Sequence, residues 1–210
     1  MSKKAFTLIE LLIVVAIIAI LAAIAVPNFL EAQVRAKTAR CKSDMRTMAL
    51  ALETYAVDNN KYPYDGYRLA GSWTPEYNYW YLPKNISTPI AYLTTAVWPD
   101  TFRQGKSHPT AVDWQIDNYR YTNWDSTYNL AYKSRTGLTV VSTQWQPYTT
   151  EFGSWRINGA GPDKTFGPTG WIGVAATAGL PIPYDATNGT VSAGDIVRSQ
   201  RSPSGYINTR

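Results

Sequence analysis

The feature that most constrains this chain is an apolar run near its start, AFTLIELLIVVAIIAILAAIAVP at 5–27. Sixteen apolar residues, Leu11 to Val26, follow one another without a break, and one carboxylate, Glu10, stands at their entrance. A helix that packs on a globular core is apolar along one stripe, and a run apolar all round fits that role poorly. About 20 apolar residues cross a bilayer. Phe6 to Val26 meets that length, with Thr7 and Glu10 inside it. A secretory signal peptide is the competing reading, because Lys3 and Lys4 form a short basic start and LAAIA has the small-residue character of a cleavage site.

The residues beyond the run favour the span. Helical periodicity continues past Pro27: Cys41, Met45, Met48, Leu52 and Tyr55 recur at spacings of three and four, with Ala49 and Ala56 beside them. That spacing draws one apolar stripe on an amphipathic helix. DNNKYP then supplies breakers. Residues 6–58 thus read as one long helix, lipid-like in its first half and packed by one face in its second. Pro27 lies at the change, where its missing N–H is expected to kink the helix.

Glu10 raises the question of a counter-charge. A charged side chain at mid-span costs about 2.5–3.5 kcal/mol on insertion scales, so an intramembrane carboxylate is a functional signal unless it sits wet at the interface. No Lys or Arg occurs between residues 5 and 34. A cation for Glu10 has to come from a chain terminus or from another subunit.

The segment KKAFTLIELLIVVAIIAILAAIAVPNF resembles the class III signal of type IV pilins and type II secretion pseudopilins. The shared pattern is a short basic leader, a small residue, Phe, Thr-Leu-Ile-Glu, an unbroken apolar helix and Pro at the exit. The resemblance implies a leader at 1–5, a transmembrane and filament-core helix at 6–27, an amphipathic continuation at 28–60 and a C-terminal globular domain at 61–210. It implies cleavage by a prepilin peptidase between Ala5 and Phe6, followed by N-methylation of Phe6. Ala5 stands where the family usually has Gly. The freed Phe6 amine of one subunit would neutralise Glu10 of its neighbour, since a close opposite charge offsets burial of a carboxylate. Implied partners are further copies of the chain, other pseudopilins or pilins, the prepilin peptidase and an inner-membrane assembly platform. The implied placement is a single pass through a bacterial inner membrane, N-terminus cytoplasmic and C-terminal domain periplasmic, with a filament after assembly.

Charge gives a mixed signal. Arg35, Lys37, Arg40, Lys42 and Arg46 follow the apolar run with only Asp44 among them, and positive residues ordinarily mark the cytoplasmic side. The cluster reads either as a solvated helix face or as part of a filament core. The formal charge of +5 is too modest to point to nucleic acid. Cys41 is the single cysteine and His108 the single histidine, which excludes an intrachain disulfide, a cysteine-built metal site and histidine-based catalysis.

Residues 64–210 hold all eight Trp and are dense in Gly, Pro, Asn, Ser and Thr. YNLAYKS (128–134), GLTVVST (137–143) and SWRING (154–159) read as strands, and LTTAVWPDTF (93–102) as loop or short helix. The expected fold is α+β: a long N-terminal helix packed on a small antiparallel sheet with long loops. Asp163, Asp185, Asn188 and Asp195 fall in glycine-rich stretches. Calcium takes 6–8 oxygen ligands from such loops, and turn-making is the plainer role for Asp and Asn there. Here too a resemblance bears: major pseudopilins carry a C-terminal calcium loop with GPDG-like and DI-ending elements, echoed by AGPDK and GDIV, with Lys164 in place of the Gly. Asp100, Asp113, Asp117 and Asp125 could supply paired carboxylates for glycoside chemistry, but read as solvated turns. The Trp and Tyr wealth suits either a carbohydrate-binding face or core packing. The reading that joins these features is a non-enzymatic filament subunit, first a secretion pseudopilin. The alternatives are a type IV pilus subunit or minor pilin, and a membrane-anchored carbohydrate-binding module or hydrolase.

Overall fold

The computed structural model describes residues 7–63, 82–103, 117–123, 150–164, 184–185, 192 and 194–203. Its dominant element is one helix, α1 (Leu8–Asn59), which runs unbroken through Pro27. Pro27 has no N–H to give the Ala23 carbonyl, yet the helical backbone continues on both sides. The helix stops at Asn60, whose φ of 54° places it in the left-handed region. Asn tolerates that conformation and often closes helices.

Three short strands form one antiparallel sheet in the order β1 (Arg120–Asn123), β2 (Trp155–Gly159), β3 (Ile196–Ser199). Tyr121 pairs with Ile157 and Ile157 with Arg198. Side chains alternate between faces along each strand, and the face carrying Trp155, Ile157 and Gly159 meets α1. Trp155 Nε1 donates to Glu53 Oε1 across that contact at 3.0 Å. The expected strand at 154–159 is thus the central one, and 93–102 is loop. The expected strands at 128–134 and 137–143 lie outside the described residues.

The core sits between the sheet and the second half of α1. Cys41, Met45, Met48, Leu52 and Tyr55 are all buried, as their spacing predicts, and Thr38, Ala49 and Ala51 join them. From the sheet and loops come Trp155, Ile157, Tyr121, Tyr119, Phe102, Ile86 and Ile196. The helix and β2 approach so closely at Gly159 that an added Cβ would lie 2.9 Å from Cys41 Sγ and from Tyr119 Cε1. Glycine is required there for packing, as only a missing side chain permits that approach. Trp155, Tyr119 and Tyr121 are core residues and Trp98 packs against the core, so these four serve packing.

Candidate assembly site

The N-terminus of α1 is closed by a reciprocal cap. Thr7 is extended (φ −80°, ψ 151°) and its Oγ1 accepts from Glu10 N at 3.3 Å. In return Glu10 Oε2 accepts from Thr7 N at 2.9 Å and from Thr7 Oγ1 at 2.7 Å. This is a capping box: Thr or Ser at the cap, Glu three residues on, each satisfying a backbone N–H that the helix leaves unpaired. The signal T-x-x-E was present in the sequence and explains why Thr7 and Glu10 belong together. Both bonds from Thr7 end on Oε2. A carboxylate has about four acceptor positions, so Oε1 is left for a further donor. Ala5 and Phe6 lie outside the described residues.

From Thr7 to Leu30 every side chain of the helix is exposed. The Leu, Ile, Val and Phe residues there are all 45% or more exposed. An apolar surface of that extent requires a lipid or protein environment, and this segment is long and apolar enough to cross a membrane. Past Pro27 the surface changes. Arg35 donates to Glu31 one turn earlier. Lys37, Arg40, Lys42 and Arg46 are exposed, which makes the basic cluster a solvated face within the single chain. Burial begins at Thr38.

The carboxylates of the C-terminal part are placed unequally. Asp163 is half-buried in a turn after β2, where Lys164 N donates to the Gly161 carbonyl at 2.9 Å. Lys164 holds a φ of 60°, a left-handed conformation that glycine adopts without strain. A Cβ at Gly161 would overlap the Gly194 carbonyl and lie 3.7 Å from Asp163 Oδ1, so these oxygens flank one glycine. Asp195 is buried just before β3, and its carbonyl accepts from Tyr184 N at 2.9 Å. Asp185 is exposed, and its N donates to Ser192 Oγ at 3.0 Å. Asn188 lies outside the described residues. Among the described residues no three His, Cys, Asp or Glu side chains gather as a metal cluster.

Asp100 corrects a sequence-based expectation. It is fully buried rather than a solvated turn residue. Its Oδ1 accepts from Phe102 N at 2.9 Å and its Oδ2 from Ala160 N at 2.6 Å. Burial pushes its carboxyl up to about 6, against those two bonds and Arg103, which pull it down; Asp195 adds to the rise. One signal in the sequence was its setting in WPDTF, an acid between two large aromatics with the side chain closing a turn onto the residue two ahead. Asp117 is half-buried, and Asp113 and Asp125 lie outside the described residues.

Residues 1–26 match the model for the prokaryotic N-terminal methylation motif. Relatives share the region that contains α1. The type IV major pilin protein PilA of Myxococcus xanthus is 46% identical over 60 residues, 29% of this chain and 27% of that protein. The type IV wide pilus major component PilA4 of Thermus thermophilus is 51% identical over 61 residues, 29% of this chain and 47% of that protein. The type II secretion system core protein G of Pseudomonas aeruginosa is 43% identical over 62 residues, 30% of this chain and 44% of that protein. The likeness thus spans less than half the length of each of these relatives. No solved structure matches the chain.

Proposed function

We propose that this chain is a structural subunit of a pilin-like filament, of the kind that serves type II secretion, and that it has no catalytic role. The observation that carries this is α1 itself: an exposed apolar half with one carboxylate at its entrance, joined to a half that builds a domain core. A prepilin peptidase would cut between Ala5 and Phe6, and the methylated Phe6 amine of one copy would meet Glu10 of the next. The open Oε1 of Glu10 supports that contact, because the cap does not have to break for the amine to bind. The first half of α1 would pass from the inner membrane into the filament core, with the C-terminal domain on the periplasmic side. Replacing Glu10 by Ala tests the reading. Filament assembly is lost while the globular domain stays folded; normal assembly would refute it.

The type IV pilus reading keeps specific support, since the relatives include pilus components as well as secretion proteins. Extracellular pili containing the chain would favour it. The anchored carbohydrate module or hydrolase would need an exposed aromatic face, and the described Trp155, Tyr119 and Tyr121 are spent in the core. We propose calcium as a bound ion on Asp163, Asp185, Asn188 and Asp195. The Asp163 carboxylate and the Gly194 carbonyl at Gly161 are oxygen donors of the type calcium takes. A chelator should lower the melting midpoint of the full chain in detergent. An unchanged midpoint removes the ion.

A further inference from the structure

The helix carries a second acid–base pair with the spacing of the first. In the proposed filament, on which this inference rests, Glu10 of one copy takes the Phe6 amine of the next. Residue 10 of one helix then lies level with residue 6 of its neighbour. The same four-residue stagger brings residue 35 of the first helix level with residue 31 of the second. Those positions hold Arg35 and Glu31, of opposite charge, with the polarity reversed relative to the first pair.

The azimuth agrees with the stagger. An α-helix turns about 100° per residue, so Arg35 falls about 20° short of seven full turns beyond Glu10 and shares its face. The helix is continuous between them. Arg35 and Glu31 meet each other within the single chain, yet their side chains remain 73% and 44% exposed. A guanidinium has five donors, enough to keep its own Glu31 and take a second carboxylate. Glu31 is the sole ionisable residue between Glu10 and Arg35, and Lys37, two residues beyond, lies about 200° away around the helix.

Apolar packing alone sets the stagger poorly. The run from Leu11 to Val26 is nearly all Leu, Ile, Val and Ala, and a slip by one helical turn exchanges like for like. We propose that Arg35 of one copy pairs with Glu31 of the next, and that this second contact fixes the axial register of the filament together with Glu10. The occupant of this face is a second copy of the same chain.

Co-expression tests the pair in the full-length protein. Glu31→Arg alone and Arg35→Glu alone each set like charges against one another between copies, and filament yield is expected to fall about tenfold or more. Expressed together, the two variants complement each other: the basic position 35 of one copy meets the acidic position 31 of the other, and the reverse. Filaments should return toward the unaltered level. A pair confined within one helix gives no such rescue, because each helix still carries two like charges. Single variants that assemble normally, or a mixture that stays defective, overturn the proposal. Cysteine variants supply a readout that does not depend on charge or yield. Copies carrying Glu31→Cys and copies carrying Arg35→Cys, mixed in the same cells and treated with a mild oxidant, should cross-link to dimers; Cys41 is buried and does not compete. Absence of that dimer also overturns the pair. Glu10→Ala, run alongside, separates the two levels. If it assembles normally, the filament reading itself fails; if it blocks assembly while the charge pair proves silent, only the second contact is lost.

Discussion

Leu12 and Leu52 occupy the same helix and the same residue type, yet Leu12 is 64% exposed and Leu52 is fully buried. The helix backbone does not distinguish them. The sequence around them does: Leu12 has apolar neighbours on every side, whereas Leu52 lies in a stripe flanked by Arg46, Glu53 and Thr54. Among the described residues the first half of α1 stays exposed, and its apolar surface calls for a lipid or protein partner. The second half finds Trp155, Ile157 and Tyr121. The second half builds the domain core, while the first half presents its apolar surface outward.

Substitution at those two leucines gives the largest separation. Leu52→Ala should cost about 2–5 kcal/mol of domain stability, the range for truncating a buried leucine and leaving a cavity. Leu12→Ala should leave the melting midpoint of the domain unchanged in detergent, because no core contact is removed. Comparable losses from both would erase the division.

The next effect is a pH dependence confined to the packed half. The folded-state pKa of Asp100, about 6, lies above the ordinary value of 3.8. The folded state therefore takes up its proton near pH 6 and the unfolded chain only near pH 4. Stability from this group is fully present below about pH 4 and is lost as pH rises through 6, with a total on the order of 3 kcal/mol. Melting of the full chain should be higher at pH 5 than at pH 7.5 on this account. Asp100→Asn, which keeps an acceptor for Phe102 N, should flatten that window. A slope that persists in the variant would assign it to other groups.

The smallest effect is at the turn after β2. Lys164→Gly should raise stability by about 1 kcal/mol, the cost of a left-handed conformation for a residue with a side chain. It should leave assembly through the first half of α1 untouched.

The long helix was legible because its signals are local. Periodicity located Cys41, Met45, Met48, Leu52 and Tyr55, and DNNKYP located the end. β2 was legible from the alternation in SWRING. β1 and β3 were not, since four-residue segments such as RYTN and IVRS carry too short a pattern, and their strand character comes from pairing with β2. Asp100 was misread for the same reason: its burial depends on the Ala160 N–H, which only the fold brings to it. At the candidate assembly site, Glu10 stood out by charge alone. Its bond to Thr7 was readable from T-x-x-E, whereas the matching spacing of Glu31 and Arg35 gains meaning only once the helix is seen to run continuously past Pro27.

The most direct test of the division is the intact mass and N-terminal sequence of the protein taken from its native membrane. A chain beginning at N-methylated Phe6 is the result this account predicts, since the whole apolar half is then retained with a free amine opposite Glu10. A chain beginning after Ala25 would contradict it, because the exposed half of α1 would then be a discarded signal and not a filament element.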